Sequence, residues 1–159
     1  LTLSFDLHES GLVTEVVYMT PSVAETASGS KSMLALRVVA VLLALSLMIG
    51  ELLRSWGAGR PVMLVLDDQL MGGFLIAAAW AVGRETIRTR AAFAAAWGVV
   101  AGMLYGSFFG KLFEPAKAQA GNWNLGVLTA LLGVAFAVSL VGLWASITVP
   151  RAQVGAAKG

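Results

Sequence analysis

The sequence predicts an all-α polytopic membrane protein, a bundle of four transmembrane helices joined by short loops and preceded by a polar N-terminal arm. Three observations carry that prediction. Of the 159 residues, 58% are hydrophobic and only 13% charged, with a mean hydropathy of +0.81. A small water-soluble fold exposes too much of its surface to be so apolar. The apolar residues also gather in four runs, each reaching the roughly 20 residues that a helix needs to cross a bilayer. Finally, prolines, glycines and charges cluster between the runs rather than inside them. Helices follow because open strands cannot satisfy their backbone groups in lipid.

Residues 1–32 form the arm. LTLSFDL alternates apolar and polar residues, VTEVVYM reads as a short amphipathic piece, and PSVAETASGSKS reads as polar and turn-like. Asp6, Glu9, Glu15 and Glu25 make it the acidic part of a basic chain. It has neither a basic leader nor a continuous apolar core, so no signal peptide is expected. Met33, directly before the first run, stands as an alternative start.

The first span is expected near 33–53, fading into RSWGAGRP, where glycines loosen the chain and Pro61 suits the first turn of a second span at 61–83. The basic turn RETIRTR leads to a third span near 91–111, which Pro115 terminates. Asn122 or Asn124 then caps a fourth at 124–149, closed by Pro150. A short basic tail, 151–159, completes the chain.

With the termini and second loop on one side, that side carries Lys31, Arg37, Arg84, Arg88, Arg90, Arg151 and Lys158. The other carries Arg54, Arg60, Lys111 and Lys117. The positive-inside rule then expects both termini in the cytoplasm, in a membrane of the bacterial inner type. Trp56 and Trp123 fall at the outer boundary and Trp80 and Trp144 at the inner one, where indoles are best placed. Trp97 lies deeper and is expected to pack between helices.

Several chemistries are excluded or disfavoured. Cysteine is absent, which removes disulfides, thiolate catalysis and cysteine-held metals. The single histidine, His8, rules out a haem held by two histidines and argues against zinc. The net charge of +2 is spread as isolated flanking residues, so no nucleic-acid partner is expected. No phosphate loop and no Ser/His/Asp constellation is present, which points away from an enzyme. Neither a cofactor nor a metal is expected, and membrane lipids are the expected surroundings.

Two patterns remain as candidate sites. Gly98, Gly102, Gly106 and Gly110 recur every fourth residue of the third span, a strip along which another helix can approach closely. Gly72 and Gly73 of the second span offer a matching surface. The expected use is a packing seam, within the chain or between copies. A second use is a groove for a flat ligand or lipid tail, walled by Trp97, Tyr105 and Phe108.

The second pattern is Glu51, Asp67 and Asp68, three carboxylates in the outer third of the membrane. Asp67 and Asp68 lie about 9–10 Å along a helix that begins at Pro61. Acids at such depth mark an ion pair or an ion or proton site. Being adjacent, they point about 100° apart and cannot both face one partner. Arg54, Arg60 and Lys111 are expected within reach.

The sequence therefore favours an accessory, assembly or structural subunit acting through glycine-rich packing, alone as a homo-oligomer or within a larger membrane complex. The alternative is an oligomeric proton- or cation-coupled transporter or channel using Asp67, Asp68 and Glu51.

Overall fold

The computed structural model describes residues 23–59 and 61–149. The first 22 residues, with His8 and three of the arm's acids, lie outside the described residues, as do Arg60, Pro150 and the 151–159 tail. Among the described residues the chain is all helical. Its long helices are α1 (Val23–Ser55), α2 (Val62–Ala81), α3 (Ile87–Phe113) and α4 (Leu125–Thr148), with single 3-10 turns at Val82–Arg84 and Pro115–Lys117. All four are long and apolar enough to span a bilayer, over Lys31–Ser55, Val65–Arg84, Ile87–Phe113 and Leu125–Thr148. These match the four expected runs.

The arm is shorter than its composition suggested. Residues 23–32, expected as a polar turn, continue α1 upstream. No proline interrupts the sequence between Pro21 and Pro61, and Ala and Glu favour a helix once a long neighbour has nucleated it.

The helices pair as two hairpins, α1 with α2 and α3 with α4, joined mainly through α2 and α3. The near end of the bundle holds the α2–α3 connection and the C-terminus of α4. The far end holds the other two connections. Their caps follow from local chemistry. Asn124 caps α4, its side-chain oxygen accepting from the amides of Gly126 at 2.9 Å and Val127 at 3.3 Å. Thr86 caps α3 by accepting from Thr89 N at 3.2 Å. Between α2 and α3, Glu85 adopts a left-handed backbone with φ of 53°, the place usually given to glycine at a helix end.

Asn122, the other candidate cap, has a different task. Its side chain donates to the carbonyls of Trp56 at 2.7 Å and Leu53 at 3.3 Å, and its amide donates to Arg54 O at 3.2 Å. The α3–α4 loop thereby satisfies the orphan carbonyls at the end of α1. Gly121, at φ +63°, sits against the Arg54 backbone, where a Cβ has no room.

Two arginines do the same at the near end. Arg37 Nε donates to Ala79 O at 2.8 Å, and its guanidinium lies over Gly83. Arg90 donates to Val149 O. Each places a positive charge on the negative, C-terminal end of the neighbouring helix. Arg37, counted in the sequence only as a flanking charge, thus binds a helix end directly.

The core lies in the near half and middle of the bundle. Ala40 and Ala44 of α1, Leu75 and Ala79 of α2, and Phe93, Ala96, Trp97 and Val100 of α3 are each no more than 2% exposed. Small residues let the helices approach, and the large rings of Phe93 and Trp97 fill the space, meeting edge to face at 6.1 Å.

Candidate functional site

The glycines do not behave as one set. A Cβ added at Gly102, Gly106 or Gly110 would meet nothing within 4 Å, and one at Gly98 would only touch Leu143 at 4.0 Å. The α3 strip is therefore not a seam within the chain. Its inward stripe is instead Phe93, Trp97, Val100 and Leu104, turned about 100° from the glycines because Trp97 and Gly98 are adjacent. Close approach inside the chain occurs elsewhere. A Cβ at Gly142 would lie 2.6 Å from the Trp97 ring, one at Gly133 2.8 Å from Phe108, and one at Gly72 2.5 Å from Met48 Cγ. Gly73 faces open space.

The three aromatics expected to wall a groove do not converge on one. Trp97 is fully buried against Gly142. Phe108 packs on Gly133 and stacks near Phe136 at 6.4 Å. Tyr105 is exposed and pairs with Phe109 at 4.7 Å. They form the α3–α4 contact and its flank. The indole N–H of Trp97 has no hydrogen-bond acceptor despite its burial, so the ring is held there by its shape.

The carboxylates separate as adjacency requires. Asp67 is exposed, whereas Asp68 is half-buried and turned inward toward α1. There it lies beside Glu51 and Arg54 at one end of a shared cavity. Glu51 and Arg54 are 3% and 9% exposed and form an ion pair one helical turn apart. Ser55 Oγ donates to Glu51 Oε1 at 2.6 Å, and Gln69 Nε2 donates to Met48 O at 2.9 Å, pinning α2 to α1 beside the cluster. The cluster thus sets two acids beside one guanidinium, with the buried Glu51 and Arg54 compensating each other as burial demands.

Lys111, expected near these acids, lines another cleft with Pro115, Leu125 and Thr129, between α3 and α4. Among the described residues no three His, Asp or Glu side chains are grouped to hold a metal ion.

Beside the acidic cluster is a cavity of about 330 Å³ between α1 and α4. Leu43, Leu47, Leu132, Ala135 and Val138 form its apolar walls, and Glu51, Arg54, Asp68 and Trp123 form its far, polar end. Sequence reasoning located the acids but not the cavity, because α4's contribution is a run of ordinary aliphatic residues with no local signal. No protein-family model matches this sequence, and no curated protein or solved structure shows significant similarity to it.

Proposed function

We propose that this chain is an integral membrane protein acting as an accessory, assembly or structural subunit, through packing against other membrane components, and not as a conduit. The observation that carries this reading is the layer without ionisable side chains between the acidic cluster and the near end. The segments 40–50, 69–83, 91–110 and 125–149 contain no Asp, Glu, Lys, Arg or His. Their inward residues, from Ala40 to Trp97 and Val100, are packed shut. A proton or cation entering at Glu51 and Asp68 would find no ionisable group beyond them in these segments, and intramembrane pathways depend on such groups.

The outward face supports the same reading. Gly102, Gly106 and Gly110 leave a side-chain-free strip on α3 that is open to a helix of another chain. Trp56, Trp80 and Trp144 are 80%, 69% and 71% exposed, suited to the two membrane interfaces. Arg54 is turned into the bundle beside Glu51 and does not count as a loop charge. The basic excess therefore falls on the near end, which supports placing the termini on the cytoplasmic side of a bacterial-type inner membrane.

Reconstituted vesicles test the proposal. With a membrane potential imposed, proton and monovalent-cation flux should equal that of empty vesicles. In native membranes the chain should migrate in an assembly larger than a monomer, and Gly102→Leu with Gly106→Leu should dissolve that assembly without unfolding the chain. A flux that Asp68→Asn abolishes would overturn the reading in favour of proton or cation transport.

A further inference from the structure

We infer that the cleft between α1 and α4 is a lipid-binding site that takes an aminophospholipid, its ammonium and phosphate at Glu51, Arg54 and Asp68 and one acyl chain along the apolar walls. The shape comes first. A cavity of about 330 Å³ lies at the lower end of the range of ligand sites, which are mostly apolar with a few convergent polar groups. Here the charged groups sit at one end only, the Ser46 hydroxyl on the wall being turned to Leu43 O, the division that an amphipathic molecule requires.

Access comes second. α1 packs chiefly on α2, and α4 on α3, so the α1–α4 side is the loosest seam of the bundle. Ser46, Leu131 and Val134 line the cavity while remaining exposed. The cleft therefore opens sideways, onto the surface that faces acyl chains in a bilayer. Trp123 stands at its polar end, at the depth where an indole meets headgroups.

Charge selects the headgroup. Arg54 is paired with Glu51, and Asp68 brings a second carboxyl group to the same end of the cavity. A primary ammonium placed there can donate to both carboxyl groups, while the lipid phosphate lies beside Arg54. A quaternary ammonium has no N–H to donate, and an anionic headgroup would bring a negative charge to a site with two acids.

Lipid-exchanged protein in detergent, examined by native mass spectrometry with phosphatidylethanolamine, phosphatidylcholine and phosphatidylglycerol of matched chains, tests this. Phosphatidylethanolamine should be retained about tenfold more strongly than either competitor, as expected for one charge-assisted hydrogen bond. Asp68→Asn should remove that preference, Ala135→Phe should block all three lipids by filling the cleft, and the outward-facing Asp67→Asn should change nothing. Equal retention of the three lipids by the unmodified chain would overturn the assignment. So would a phosphatidylglycerol or phosphatidylcholine preference, or a phosphatidylethanolamine preference that survives Ala135→Phe.

Discussion

At Gly142 the absence of a side chain lets the Trp97 ring lie flat against the α4 backbone, with ring atoms 2.6 Å from where a Cβ would stand. Trp97 is fully buried and cannot retreat. Gly142→Ala should therefore destabilise the isolated chain by about 1–3 kcal/mol, the usual cost of overpacking, measured by reversible unfolding in detergent. Gly102→Ala, which adds a methyl to open space, should leave the same measurement within about 0.5 kcal/mol. The spacing of four along α3 identified a strip with no side chains, but spacing is the same whichever way a strip points. The adjacent aspartates show the same limit. Their divergence was legible from helix geometry, while the choice of Asp68 as the inward one depended on where α1 placed Glu51.

At the scale of elements, helix ends here are satisfied by neighbours rather than by their own sequence. α2 has no basic residue in its last turn. Arg37 of α1 reaches across and donates to Ala79 O. Removing it by Arg37→Gln should cost about 1.5–3 kcal/mol, typical of a hydrogen bond from a charged donor. The loss should appear locally, as faster hydrogen exchange at Val82, Gly83 and Glu85, while the amides of α4 stay protected. The far end repeats the arrangement, with Asn122 of the α3–α4 loop holding the last carbonyls of α1. Asn124 was legible as a cap because its side chain acts on its own helix. Asn122 was not, since its partners are 66 and 69 residues away.

For the whole molecule, the proposed insertion of four spans in two hairpins would place both far connections on one side of a membrane and the α2–α3 connection on the other. The chain has no cysteine, so single substitutions report cleanly. In sealed inverted vesicles of a bacterial inner membrane, Glu85→Cys should react with an impermeant maleimide, and Ala58→Cys and Ala118→Cys should react only after the vesicles are opened. Labelling of Ala58→Cys and Ala118→Cys on opposite sides would contradict the hairpin arrangement. The reverse pattern, with Glu85→Cys protected, would keep the fold and invert the proposed orientation.

Composition and periodicity by themselves determined that this chain is helical and where its four apolar runs lie, with the acids placed along them. Those properties are local. Each depends on the solvent preference of a run of side chains or on the rise of one helix. Only the tertiary structure decided which face of each helix turns inward, because a helix that is apolar all round carries no pattern to distinguish lipid from neighbour. For that reason the glycine strip of α3 lies outside, Gly142 of α4 receives Trp97, and Glu51, Arg54 and Asp68 meet at the head of a cleft whose other wall is contributed by α4, 60 residues or more further along the chain.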